Sequence, residues 1–447
     1  MLFNRHIASI LLLQFFILLC SCNSDDNPTS SDEPQNSMGF VTTYGGSKND
    51  RAQSVTKTSD GGYAILGYTQ SNDGDILDKP LEGYNYWVLK FDSYNTLQWS
   101  KTYGGSADDR GNSIIQTHDG GYAILGYTYS NDQDISFNAG QQDYWVSKLD
   151  ASGNILWEAS FGYAGLDNGT SLIQTTDNGF LLVGVLDVTA SGGDGDTKMN
   201  NYKHAGGDYW AIKLDAGGNK QWSKYYGGSF TDTPYDVVQT SDNGYIIVGS
   251  SDSNDVDISN NLGGYDFWVI KITETGELLW EKNYGGSQID EARSIVATSD
   301  GNFLIVGDTR SNDLDVSQNS GGADVWVIKI AETGELLWEK SFGGSSFDVS
   351  RSVKTTQDDG FLIAGSSRSA DGDLTKNQGQ NDAWVFKINS EGSLIWQKSV
   401  GGSNIDYAYD ATELNDNSII AIGDSESTDG DLTQNKGFSD ALIIKIK

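Results

Sequence analysis

Residues 294–340 read SIVATSDGNFLIVGDTRSNDLDVSQNSGGADVWVIKIAETGELLWEK. Ser294 to Thr298 is a short β-branched run, and Ser299-Asp300-Gly301-Asn302 is a tight turn. Phe303 to Thr309 forms a second strand, and a loop follows from Arg310 to Ala323. Val325 to Ile330 forms a third strand. Glu332-Thr333-Gly334-Glu335 then turns the chain into a fourth, Leu336 to Lys340. Four short strands with Gly and Asp at the turns are the pattern of one propeller blade.

The unit recurs. An aromatic residue followed by Gly marks it at Tyr44, Tyr103, Phe161, Tyr226, Tyr284 and Phe342, with Val400 in the last copy. The intervals are 59, 58, 65, 58, 58 and 58 residues. Seven such units predict an all-β, seven-bladed propeller of four-stranded blades over residues 39–447. The last unit stops after its third strand, Ala441 to Ile446, and the first begins with an orphan fourth strand, Phe40 to Tyr44. Aligned on Tyr44, Phe40 stands where Trp99 precedes Tyr103. The N-terminal strand is therefore expected to complete the seventh blade and leave no free sheet edge between blades.

Arg5 and His6 precede an apolar run from Ile7 to Leu19, too short to span a bilayer and suited to a signal-peptide core. Residues 1–21 are read as that signal, and residues 22–38, rich in Ser, Asp, Asn and Pro, as a solvated tether. The only cysteines, Cys20 and Cys22, lie at the junction, so the propeller has no disulfide, thiol nucleophile or Cys-based metal site. Removing residues 1–21 takes away Arg5 and no acid, leaving 28 Lys+Arg against 62 Asp+Glu. Such a surplus of acid argues against nucleic acid or anionic lipid as a partner.

Leu19-Cys20-Ser21-Cys22 resembles the lipobox of bacterial lipoproteins, with cleavage before Cys22. The resemblance implies lipidation of Cys22, palmitate among its chains, so that the membrane is met only through that anchor. The acidic run after Cys22 resembles the surface-export signal of Bacteroidetes lipoproteins. As a whole the chain resembles Bacteroidetes-type lipoproteins built from seven propeller repeats. That resemblance implies an outer-membrane, surface-exposed location and leaves activity open. Ala151-Ser152-Gly153-Asn154-Ile155-Leu156-Trp157 also resembles the tryptophan-docking segment of quinoprotein propellers, with its Asp-to-Gly spacing one residue shorter. No quinone-site pattern accompanies it, so that cofactor is not carried over.

Twelve tryptophans occupy two repeat positions. Trp87, Trp145, Trp210, Trp268, Trp326 and Trp384 are in third strands; Trp99, Trp157, Trp222, Trp280, Trp338 and Trp396 are in fourth strands. Blade-to-blade packing accounts for all of them. Two acidic columns have the regularity of turn chemistry. One is Asp50, Asp109, Asp167, Asp232, Asp290, Asp348 and Asp406; the other is Asp60, Asp119, Asp177, Asp242, Asp300, Asp358 and Asp416. The second has the Thr/Ser-x-Asp-x-Gly form that resembles an Asp-box, itself a structural motif.

The long loops between second and third strands carry the candidate metal ligands. Numbered from the first Asp, oxygen-bearing side chains fall at positions 1, 3, 5, 7 and 12. The carboxylates of these sets are Asp132, Asp134 and Asp143 in blade two; Asp255, Asp257 and Asp266 in blade four; and Asp313, Asp315 and Asp324 in blade five. Blade six has Asp371, Asp373 and Asp382, and blade seven Asp429, Asp431 and Asp440. Alternating oxygens suit Ca²⁺, and the spacing resembles EF-hand and integrin-propeller calcium loops. It departs from them in lacking Gly at position 6 and in placing an apolar residue at position 4. A self-bonded Asx-rich loop is the other reading.

Blade one breaks the pattern with Pro80 and Asn85. Blade three carries the longer repeat, and its loop from Asp194 to Asp208 adds Lys198, Tyr202, Lys203 and His204, candidate binding residues on an acidic rim. Strand order places all long loops on one face, opposite the short hairpins. His118 and His204 fall on opposite faces, and no nucleophile–base set appears. The expectation is a monomeric, non-enzymatic binding or scaffold protein that takes a protein or glycan ligand on the long-loop face. The alternative is a carbohydrate-active enzyme, glycosidase or lyase, with carboxylates at the propeller axis.

Overall fold

The computed structural model describes residues 37–79, 82–191 and 204–447. Seven four-stranded antiparallel sheets follow one another around an axis, and the one helical segment among the described residues is the turn Val188–Ser191. In blade five the strands run from the axis outward as Asp290–Ala297, Phe303–Thr309, Asp324–Ile330 and Leu336–Phe342. The seventh sheet takes its outer strand from the other end of the chain: Met38–Tyr44 pairs antiparallel with Asp440–Ile446. Ala52 and Trp87 of blade one share a core cluster with Ile420 and Ile443 of blade seven, so the first and last blades meet.

Second and third strands are buried on both faces because each face of a blade packs on a neighbour. The third-strand tryptophans fill those interfaces. Trp145 packs on Tyr86, Trp210 on Tyr144, Trp268 on Tyr209 and Trp326 on Phe267, with ring centroids 4.4–4.9 Å apart. Where the partner is Tyr, its hydroxyl donates to the tryptophan carbonyl, as from Tyr86 to Trp145 at 2.9 Å. Trp99, Trp157, Trp222, Trp280 and Trp338 of the fourth strands lie under the next blade's hairpin; a Cβ added to Gly153 would come within 3.0 Å of the Trp99 ring. The marker tyrosines lock the same hairpins, Tyr284 donating to the Gly334 carbonyl at 2.6 Å.

Every inner strand carries a β-bulge at one place, between Ala52 and Ser54 in blade one and between Ala292 and Ser294 in blade five. The second strand opposes each bulge with a glycine. At Gly307 an added Cβ would lie 2.0 Å from the Glu291 carbonyl oxygen, so no larger residue fits. The bulge turns two successive side chains toward the axis, where strict alternation would turn one.

Candidate functional site

The acidic columns brace the scaffold. Asp290 is fully buried; it accepts the Thr309 hydroxyl, the Ser311 hydroxyl at 2.8 Å and the Gly286 N–H at 2.7 Å. Asp50, Asp109, Asp348 and Asp406 repeat this set. The hairpin column pairs with a third-strand lysine, as in Asp358 with Lys387 at 2.8 Å. The Lys387 ammonium and the Thr356 hydroxyl hold the Asp358 carboxyl down at about 2.

The Asp-x-Asp loops reach across to the preceding blade's Gly-Gly connection. Asp132, Asp255, Asp313, Asp371 and Asp429 accept the N–H of Ser106, Ser229, Ser287, Ser345 and Ser403 at 2.7–2.9 Å. Asp134, Asp257, Asp315, Asp373 and Asp431 accept the N–H of Gly104, Gly227, Gly285, Gly343 and Gly401 at 3.0–3.4 Å. The apolar residue after each pair anchors the loop: Ile135, Ile258, Val316, Leu374 and Leu432 are all buried. The closing carboxylates Asp143, Asp266, Asp324, Asp382 and Asp440 each accept a backbone N–H four residues back, and their second oxygens are buried without a partner. Burial, with the charges of Asp290 and Asp315 adding, pushes Asp266 up to about 7. Among the described residues no three His, Cys, Asp or Glu gather in a geometry that could hold a metal. A cation at one of these loops would compete with the backbone donors already there.

Cys22, Lys198, Tyr202 and Lys203 lie outside the described residues. His204 departs from the rim position expected of it. Its side chain is 5% exposed, its Nδ1 lies 2.5 Å from Asp208 Oδ2, and its ring meets Tyr225 edge-on. In blade three it takes the place that a backbone N–H occupies in front of Asp266 or Asp324. Burial opposes its charge, but Asp208 outweighs burial and raises the His204 pKa.

The axis carries what the sequence reading missed. A polar cavity of ≈ 300 Å³ is lined by the inner strands of all seven blades. At the second of the two bulge positions five blades place serine: Ser54, Ser113, Ser171, Ser294 and Ser352. The two exceptions are Asp236 and Asp410, in blades four and seven. Both are acceptors between blades. Asp236 takes the hydroxyls of Ser171 and Ser294 at 2.8 Å, the Ile295 N–H at 3.0 Å and its neighbour Val237 N–H at 2.9 Å. Asp410 takes the Val55 and Ala411 N–H groups at 2.9 Å, with Lys354 at 3.9 Å. These bonds cover inner-strand edges that would otherwise present bare N–H groups to the channel. Blades five and six put Arg293 and Arg351 at the first bulge position, where blades four and seven have Tyr235 and Tyr409. The signal was a column aligned on the marker aromatic; read down, it shows Asp236 and Asp410 among serines.

The long-loop face also carries exposed phenylalanines. Phe137, Phe230, Phe347 and Phe438 are 56, 59, 42 and 76% exposed and lie in long loops or blade connections.

No family model matches the chain. It is similar to regulatory protein FlaEY of Caulobacter vibrioides, 23% identical over 406 residues, covering 82% of this chain and 41% of that protein. The chain thus spans about two fifths of that relative's length. Among solved structures, a protein of unknown function from Bacteroides caccae is 12% identical, with TM-score 0.41 over 75% of this chain and 93% of its own. Sqt1 from Chaetomium thermophilum is 11% identical, with TM-score 0.46 over 91 and 99%. The chain is a seven-bladed β-propeller by its own sheet order, similar over most of its length to part of a regulatory protein.

Proposed function

We propose that this protein is a non-enzymatic binding or scaffold lipoprotein of the outer membrane. Lipidated Cys22 holds it at the cell surface, and the long-loop face takes a protein or glycan partner. The observation that carries the reading is the exposure of Phe137, Phe230, Phe347 and Phe438 on that one face, among loops held rigid by backbone bonds. Exposed aromatic side chains on a preorganised scaffold are the usual anchors of a binding surface. The likeness to a regulatory protein accords with action through binding.

Asp236 and Asp410 support the same choice. A general base needs a free lone pair aimed at substrate, and these carboxylates are spent on bonds between blades. A carbohydrate-active enzyme with axial carboxylates is the second reading, favoured by the break these two residues make in the serine ring.

The test uses the full-length protein in detergent, probed with arrayed glycans and with envelope extract. Saturable binding is expected, and it is lost when all four phenylalanines become serine while the melting temperature holds. Binding indifferent to those substitutions, or oligosaccharide cleavage abolished by Asp236→Asn, overturns the reading.

A further inference from the structure

The chain has 62 acidic and 29 basic residues, yet its arginines are not scattered. Beyond Arg5 there are six. Arg51, Arg110, Arg293 and Arg351 lie on inner strands; Arg310 and Arg368 directly follow second strands, at the long-loop end of their blades. Four of them belong to the adjoining blades five and six. Asp308, buried at the end of its strand, has Arg293, Arg310 and Arg351 as its positive neighbours. Arg293 is committed: it pairs with Glu291 at 3.0 Å, approaches Asp308 at 3.8 Å and lies 4.2 Å over the Tyr235 ring. Arg310 and Arg351 are exposed and make no ion pair within 4 Å among the described residues. Arg310 and Arg368 approach the ring of exposed Phe347 at 6.0 and 5.9 Å.

Counted over the cavity lining, Arg293, Arg351 and Lys354 face Asp236 and Asp410, a balance of +1 inside a protein of net charge −33. Both carboxylates are turned into inter-blade bonds, whereas the Arg351 guanidinium stands open. A concave, low-dielectric mouth focuses such a field, while the acidic loops farther out are screened beyond about 8 Å at physiological salt. A guanidinium grips a planar or tetrahedral oxyanion with paired N–H donors. The cavity volume sits at the lower end of the small-ligand range of roughly 300–1,000 Å³. Tyr409 in its wall and the exposed Phe347 beside Arg310 offer faces on which a sugar ring can lie.

We propose that the long-loop mouth of the axial channel, at blades five and six, binds the carboxylate of an acidic sugar through Arg351 and Arg310. Phe347, beside Arg310, and Tyr409, in the cavity wall of the adjoining blade, flank the ring. The proposal rests on the binding reading above and narrows its ligand to an anionic glycan end. The shared chemistry is an oxyanion, which free phosphate also offers, so the test separates the two.

Full-length protein in detergent is titrated calorimetrically with trigalacturonate, maltotriose and inorganic phosphate at low salt. Trigalacturonate binds saturably, maltotriose at least about tenfold more weakly, and added NaCl weakens the former. Arg351→Gln and Arg310→Gln each reduce trigalacturonate affinity about tenfold, the scale of one lost charge-assisted bond, with unchanged melting. Arg351→Lys keeps the charge and gives an intermediate loss. Equal binding of the two trisaccharides, indifference to the arginine changes, or no saturable binding of trigalacturonate overturns the proposal. Phosphate binding without trigalacturonate binding overturns the sugar assignment. Phenylalanine-dependent binding of another partner, with the arginine variants silent, leaves the binding face standing and removes only this narrower claim.

Discussion

Phe40 pairs with Lys445, joining the first strand of the structure to the last. Their strands are in register down to Tyr44 opposite Ala441. Removing residues 38–43 strips Asp440–Ile446 of its outer neighbour and bares a sheet edge. At about 0.5–1.5 kcal/mol per lost backbone bond, plus the burial of Phe40 and Val41, the cost is expected to exceed about 3 kcal/mol. Thermal melting and size-exclusion chromatography check this. An unchanged melting temperature with a sharp monomer peak would refute closure by this strand.

Gly307→Ala tests the bulge. The added methyl would stand 2.0 Å from the Glu291 carbonyl and 2.6 Å from the Phe267 ring, neither of which can yield without moving a strand. Overpacking of this kind costs about 1–3 kcal/mol or more. Urea denaturation should show a lowered midpoint, and Gly120→Ala, with nothing within 4 Å of its Cβ, a smaller effect arising from its φ of +83°.

Stability should peak in mildly acidic solution. Burial pushes Asp232 and Asp266 up to about 7, and Asp324 and Asp440 to about 6, each from 3.8. Between pH 4 and 7 the folded state holds protons that the unfolded chain has released, so stability falls as pH rises through that window. Asp242 and Asp358, held down at about 2, act oppositely; their contribution is present above pH 4 and lost as pH falls toward 2. The melting temperature should therefore rise between pH 8 and pH 5. Asn85 already opens the third strand of blade one where Asp266 opens that of blade four. Asp266→Asn should raise the melting temperature at pH 8 and leave it unchanged at pH 5. A decrease at pH 8 would mean that a charged Asp266 is stabilising.

The loop carboxylates predict the response to calcium. Asp313 and Asp315 already accept the Ser287 and Gly285 N–H groups, so melting in EDTA and in millimolar CaCl₂ should coincide. Binding of a cation to the native state alone would add about 2.7 kcal/mol at a hundredfold excess over Kd. A clear rise with Ca²⁺ and none with Mg²⁺ would make these loops metal sites.

Anchoring is tested at one atom. Cys22→Ala should move the protein from the membrane fraction to the soluble one, since a lipid chain supplies about 0.8 kcal/mol for each buried CH₂. Retention in the membrane fraction would refute lipidation as the tether.

The sequence by itself determined the blade count, the strand order, the pairing of the two chain ends and the structural use of the tryptophans. Each of these follows from a local period: alternation within a strand, Gly and Asp at a turn, and an aromatic-Gly marker recurring every 58 residues or so. Repetition made the period visible seven times over. Only the tertiary structure decided the axis. A bulge between Ala292 and Ser294 turns Arg293 and Ser294 to the same side, which alternation cannot forecast. Only the ring brings Asp236 to Ser171 and Ser294 from the blades on either side. His204 shows the same limit. Its position in an inserted loop suggested an open rim, but Asp208 and Tyr225 draw the ring into the blade. Side chains whose partners lie one blade away, about 60 residues along the chain, acquire their roles only when the ring closes.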